Sequence, residues 1–185
     1  MLDPAVALPL ALFAVLAALF VLVLRRAGTY LAETHESETF RRAVADLAER
    51  AEQSLGGVAE RIDAVRRHQL PPEAIGPNLA AASEAVRRYV DEAEGLAGAP
   101  AQEGVRALVV AELERAGRAL EMVGHGCDLL ASVRGGHRQF EAQTAIKRGY
   151  LNILHAREAI ARHAADLSAP PAPTGERWLS RRRGA

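Results

Sequence analysis

Hydrophobic residues are arranged in two different ways along this 185-residue chain. From Ala5 to Leu24 the chain carries 20 consecutive residues without a charge, and Arg25 and Arg26 close the stretch. In a helix that rises roughly 1.5 Å per residue, the stretch would span about 30 Å, the thickness of the hydrocarbon layer of a bilayer. The pattern therefore predicts one transmembrane helix, with residues 1–26 as the anchor.

A cleavable signal peptide is the alternative interpretation of this stretch. Signal peptides begin with basic residues and have an apolar core of about 7–15 residues before a small-residue cleavage site. Here the first residues are Met-Leu-Asp-Pro, the apolar core is longer, and two arginines follow it. We therefore expect an anchor that remains on the protein.

Basic residues predict the orientation of that anchor. Arg25, Arg26, Arg41 and Arg42 follow the span, and no Lys or Arg precedes it. Under the positive-inside rule, the N-terminus would face outward and the body would be cytoplasmic. The expected location is the plasma membrane or cell inner membrane, with a single pass.

After the anchor, the apolar positions recur at helical spacing and largely every seven residues, which is typical of helices packed almost parallel to a neighbour. Three breaks divide the pattern: Pro71–Pro77, the Gly/Pro-rich stretch at 95–104, and Gly135–Gly136. Residues 27–167 are therefore predicted to contain four helices. The predicted core positions, helix by helix, are Val44, Ala48, Ala51, Leu55, Val58, Ile62 and Val65; Leu79, Ala82, Val86, Val90 and Ala93; Val109, Leu113, Ala116, Leu120, Val123, Cys127 and Leu130; and Phe140, Ile146, Tyr150, Ile153, Ile160 and Leu167.

Four glycines within these helices point to special packing. Gly56 and Gly57 each weaken the first helix by about 1 kcal/mol relative to alanine. We expect either a bend or a very close neighbour at that point. Gly117 and Gly124 lie seven residues apart in the third helix and predict the close approach of another helix.

The predicted fold class is all-α: an N-terminal single transmembrane helix, a four-helix, bundle-like or coiled-coil-like body, and a disordered C-terminal tail over residues 168–185. The heptads suit both a bundle within one chain and a seam between two copies. The tail combines a Pro-rich linker with a short basic-aromatic cluster that is a candidate for contact with the inner leaflet. The alternative is a disordered basic end without lipid contact. The residues of the cluster are Arg177, Trp178, Arg181, Arg182 and Arg183.

The charge distribution and the motif content of the sequence argue against several classes of function. The formal net charge is zero while both flanks of the body are basic, so the body is mildly acidic and a poor fit to nucleic acid. No phosphate-binding loop, dinucleotide-binding, Gly-x-Ser-x-Gly or HExxH motif is present. The single cysteine, Cys127, falls on an apolar face and is expected to be a core residue. We expect neither catalysis nor a cofactor.

Metal binding within the bundle is a weaker alternative. His155 and Glu158 are three residues apart, and Glu121 and His125 are four apart, so each pair can share a helix face. A di-iron bundle needs a Glu-x-x-His motif on two helices, and this motif is absent. These side chains are therefore expected to be solvated.

The most unusual mixture of polar and aromatic residues lies on the fourth helix. We predict that, if the body has a partner surface, it is here; the alternative is a solvated outer face. The candidate residues are Lys147, Arg148, Tyr150, Asn152, His155 and Arg157. The predicted function is that of a membrane-anchored helical scaffold or accessory protein, acting by association with a second copy or a membrane protein, with a membrane-linked signalling module as the alternative.

Overall fold

The computed structural model describes the backbone of residues 4–132 and 136–169, and side chains at 19–22, 36–100, 102–132 and 138–169. Four α-helices follow one another: α1 (Pro4–Arg66), α2 (Gly76–Gly95), α3 (Glu103–Ser132) and α4 (Gly136–Ser168). Short 3₁₀ turns at Pro72–Ile75 and Pro100–Gln102 precede α2 and α3. Within these described ranges there is no strand, so the all-α fold class is confirmed.

Helix α1 is a single unbroken helix of 63 residues. At roughly 1.5 Å per residue it is about 95 Å long. No proline lies between Pro9 and Pro71, and the Gly56–Gly57 pair is accommodated without a break in the helix. The pair therefore does not interrupt α1, and the Arg157 guanidinium of α4 lies beside Gly56.

The helices form an antiparallel bundle in which each packs against its chain neighbours and α4 packs back on α1. Short connections favour this up-down-up-down arrangement. The α3–α4 interface is the most extensive, and the α1–α2 interface is the least extensive. The predicted four-helix body therefore closes within one chain, and no second copy is needed to cover its heptad faces.

The buried core runs along the bundle from Phe40 to the α1–α2 connection. Every predicted core position of α1 is buried, from Val44 to Val65. The same holds for all those of α3 except Leu130, which packs at the edge of the core. Periodicity also left some core residues unassigned: Phe40, Leu47, Ala59, Ile75, Ala85, Tyr89, Ala119, Ala142 and Ala156.

Phe140 was assigned wrongly to the core. Its side chain is 76 % exposed, whereas Ile146, Ile153 and Ile160 are buried as predicted. Phe140 lies in the second turn of α4, and six residues separate it from Ile146, which places the two on different sides of the helix. Tyr150 and Leu167 lie at the edges of the core.

Among the described glycines of the helices, Gly126 and Gly149 leave the least room for a side chain, where α3 and α4 pack together. A Cβ on Gly126 would lie 2.9 Å from the Ala142 carbonyl oxygen, and one on Gly149 would lie 2.8 Å from that of Ala119. Gly117 and Gly124 instead face α2 at ordinary distances, with added Cβ atoms 3.7 Å and 4.0 Å from the nearest side chain. Another helix therefore approaches these last two glycines as predicted, at ordinary van der Waals distance.

Among the residues that the structure describes, no helix is both long and apolar enough to cross a bilayer. Of the predicted span from Ala5 to Leu24, the side chains of Leu19–Leu22 alone belong to that part, and each is more than half exposed. The linker beyond residue 169 and the basic-aromatic cluster from Arg177 to Arg183 lie outside the described residues.

Candidate functional site

The six predicted polar and aromatic side chains of α4 lie on different sides of the helix. Lys147, Arg148 and His155 are exposed. Tyr150 and Arg157 are partly buried and have partners on α1, and Asn152 is partly buried as well. The six predicted residues therefore do not share one surface, because a helix distributes residues of this spacing around its circumference.

Arg157 joins α4 to α1. Its guanidinium donates to both carboxylate oxygens of Glu52, with Nε 3.0 Å from Oε2. These hydrogen bonds lower the pKa of Glu52, against a smaller opposing effect of burial, and the same bonds raise the pKa of Arg157. The guanidinium also lies beside Gly56, where an added Cβ would be 3.4 Å from Nη2. Arg157 therefore holds α4 against α1.

Tyr150 forms a second link between the same two helices. The Arg66 guanidinium carbon lies 4.7 Å from the centre of the Tyr150 ring, which is a cation–π distance. Arg66 also binds Asp63, with Nη1 3.0 Å from Oδ1. Tyr150 therefore helps to position an arginine at the end of α1.

The remaining predicted residues lie on the outer face of α4, which we define as Lys147, Arg148, Leu151 and His155. Leu151 is 41 % exposed and is surrounded on its helix by these three basic or titratable side chains. Sequence reasoning did not select Leu151, although its spacing of four residues from both Lys147 and His155 places it on their side. This face combines an apolar centre with positive charge.

A cavity of about 220 Å³ opens at the end of the bundle that is far from Phe40. We call it the distal cavity. Its wall combines the end of α1 with α3 and the first turns of α4. It is lined by Val65, Arg66, His68, Leu130, Gln143, Ile146 and Lys147.

His68 enters the distal cavity from an unusual backbone conformation. It is the one described residue other than glycine with a positive φ, at 58°. The Gln69 N–H donates to the Ala64 carbonyl at 2.8 Å and the His68 N–H to that of Val65 at 3.0 Å, which is the Schellman pattern of a helix end. Glycine is the usual residue at this position, because a side chain in this region costs about 1 kcal/mol or more.

Cys127 is buried as predicted, at the wall of a second cavity of about 410 Å³. Glu73 and Asp128 line the same cavity. Burial, assisted by the charges of Asp128 and Glu73, raises the pKa of the Cys127 thiol to about 11. The thiol is therefore protonated near neutral pH and is a weak nucleophile.

The histidine–glutamate pairs considered for metal binding are solvent-exposed. Glu121, His125, His155 and Glu158 are all exposed, and Glu158 binds Arg162 at 3.1 Å. In the described part of the chain, no group of three or more His, Cys, Asp or Glu side chains is arranged to hold a metal ion. Comparison of the chain with protein-family models, with curated proteins and with solved structures finds no match.

Proposed function

We propose that the protein is a single-pass membrane protein whose bundle serves as a non-catalytic scaffold or accessory subunit. The observation that carries this proposal is the exposure of Leu19, Phe20, Val21 and Leu22, at 54–64 %. Four consecutive helical residues point in all directions around the axis. A helix that is apolar on every side and not covered by protein fits a lipid environment.

The continuity of α1 supports the same proposal. The helix that contains Leu19–Leu22 enters the bundle at Phe40 without a break. About 15 residues separate Leu24 from Phe40, which corresponds to roughly 24 Å of helix. Residues 25–39 would therefore form a stiff helical stalk that holds the bundle away from the membrane. The N-terminus would lie outside and the body in the cytoplasm.

The outer face of α4 is the surface that we assign to a partner. Lys147, Arg148 and His155 surround Leu151 there, so a fitting partner presents an apolar residue with acidic neighbours. A second copy or another membrane protein can provide such a helix. The small residues Ala7, Ala11, Ala14 and Ala18 offer a further seam within the span, since small side chains allow transmembrane helices to approach closely.

The anchor is tested by placing charge in the span. Replacing both Phe20 and Val21 by Asp should release the chain from membranes at alkaline pH. Each Asp costs up to about 3 kcal/mol on insertion, and the pair shortens the uncharged stretch to the 15 residues from Ala5 to Leu19. A matched control replaces the two exposed apolar residues of α4, Phe140 and Leu151, by Asp. The control should remain in the membrane fraction, and release of the wild-type chain itself would overturn the anchor.

Orientation and association need separate measurements. Protease added outside intact cells should leave the bundle undigested, and digestion from outside would contradict the cytoplasmic placement. Cross-linking in membranes should give a defined adduct that Leu151→Asp reduces and Leu108→Asp does not. Leu108 is a fair control because it is 49 % exposed but lies on α3.

Membrane-linked signalling is a second candidate function, favoured by the unbroken course of α1. A rigid helix transmits a rotation or shift of the span directly to the bundle. A proline in the stalk would interrupt this helix without removing the anchor. Under the signalling function, hydrogen exchange of residues 40–66 should depend on bilayer thickness in the wild-type chain and not in the proline variant.

A further inference from the structure

The distal cavity joins Lys147, which also belongs to the outer face of α4, with polar and apolar groups that the proposed scaffold function does not use. Val65, Leu130 and Ile146 provide an apolar wall, while Arg66, His68 and Lys147 provide basic groups. Gln143 adds an amide that can donate hydrogen bonds. Such a combination, apolar lining with a few convergent polar groups, is typical of sites for small organic molecules.

The charge balance of this cavity is positive. Arg66 and Arg67 both bind Asp63, at 3.0 Å and 2.7 Å, so one carboxylate is shared by two guanidinium groups. In the described residues, the side chains of His68, Gln143 and Lys147 have no hydrogen-bond or ion-pair partner. The cavity therefore has unused donors and an excess of positive charge.

The backbone of His68 is an independent observation. Glycine would close the end of α1 at lower cost, yet the chain places a histidine there with φ at 58°. Residues held in such conformations are concentrated at functional sites. The residue in this conformation lines the cavity together with Lys147 of α4.

From these observations we infer that the distal cavity binds a small organic anion, a carboxylate or phosphate monoester with a short apolar part. Lys147 and Arg66 would contact the anionic head, with His68 and Gln143 donating hydrogen bonds, since charge-assisted bonds of this kind are the strong ones. The apolar part would lie on Val65, Leu130 and Ile146. A volume of about 220 Å³ suits a ligand whose apolar part is short.

The test is calorimetric titration of the full chain in an uncharged detergent with butyl phosphate and with pentanoate. At least one of them should bind saturably, with Kd at or below about 1 mM. Butylammonium, which has the same apolar part and the opposite charge, should not bind. Absence of binding by both anions, or equal binding of butylammonium, would overturn the inference.

Two variants locate the site. Lys147→Gln should weaken binding about fivefold to tenfold, whereas Arg148→Gln removes the same charge from the next residue, outside the cavity lining, and should leave Kd unchanged. Equal weakening by both would show a general charge effect and reject the site. His68→Gly should raise thermal stability and still weaken binding, because it relieves the backbone while removing the imidazole; unchanged binding by this variant also counts against the site.

Discussion

Arg157 of α4 binds Glu52 of α1 through two hydrogen bonds, and its guanidinium lies beside Gly56 one turn further along α1. The partly buried arginine reaches across the helix interface because Gly56 has no side chain in the way. Gly57, its neighbour, has nothing within 4 Å of an added Cβ. Of these two adjacent glycines, Gly56 therefore lies against a side chain of another helix and Gly57 does not.

This difference predicts different effects of alanine at the two positions. Gly57→Ala should raise the free energy of unfolding by about 1 kcal/mol, since alanine is the better helix former and meets no neighbour. Gly56→Ala should gain less, because the new methyl group would lie 3.4 Å from Arg157 Nη2 and restrict that side chain. Denaturant unfolding of both variants measures the effects, and an equal gain at both positions would contradict a spacing role for Gly56.

The Glu52–Arg157 pair predicts a loss of stability in acid. Because the pKa of Glu52 is lowered in the folded protein, its contribution is present above the ordinary carboxyl pKa and is lost as pH falls through the folded-state value. Glu52→Gln should flatten this part of the pH profile. The cost at neutral pH should be modest, about 1 kcal/mol or less, because solvent screens the half-exposed Glu52.

Glu49→Gln is the control for that measurement. Glu49 is an exposed carboxylate on the same helix, and it accepts a hydrogen bond from Gln53, one turn away. Chemical denaturation from neutral to acidic pH should give a wild-type-like profile for this variant. If Glu49→Gln flattened the profile as much as Glu52→Gln, the interhelical pair would not be the cause.

The close approach of α3 and α4 predicts that Gly149 cannot be replaced. In Gly149→Ala the new methyl group would collide with the side chain of Val123 and the Ala119 carbonyl. Separation of the two helices should cost about 3 kcal/mol. Gly117→Ala, in the same bundle, should be neutral or stabilising by up to about 1 kcal/mol, as an added Cβ meets Val86 at 3.7 Å. Thermal unfolding of the two variants should therefore move in opposite directions.

Cys127 predicts a loss of stability at alkaline pH. Its pKa is raised from 9.0 to about 11, so between these values the unfolded chain releases the thiol proton and the folded chain retains it. Stability supplied by the thiol is complete below pH 9 and decreases above it by about 1.4 kcal/mol per pH unit. Cys127→Ala should remove this slope while the other titrating groups stay unchanged. A wild-type slope in this variant would assign the alkaline transition to another group.

Repetition of apolar residues was sufficient to predict the helices and much of the core. Val44 to Val65 repeat without interruption on one side of α1, and burying such a stripe requires neighbouring helices. Proline and glycine at the breaks gave the helix ends within a few residues. Phe140 was misassigned because a single apolar residue near a helix start carries no periodic signal of its own.

The hydrophobic pattern of the sequence could not predict which side chains contact each other between helices. Arg157 and Lys147 are both basic residues of α4, yet one binds Glu52 and the other lines the distal cavity. Their different positions along α4, together with the rotation of α4 relative to α1, separate their roles. For the same reason Leu151, which follows the spacing of a surface position, was not recognised as part of the outer face.

By itself, the sequence determined that the chain forms four helices with apolar stripes, and where each one breaks, because these depend on local spacing and on the backbone limits of glycine and proline. Tertiary structure alone decided that the bundle closes within one chain, that Gly126 and Gly149 face a neighbouring helix too closely for a side chain, and that Arg66, His68 and Lys147 meet at one cavity. These facts depend on how four helices are rotated and shifted against one another. Many helix pairings bury the same apolar stripes, so the stripes do not select one.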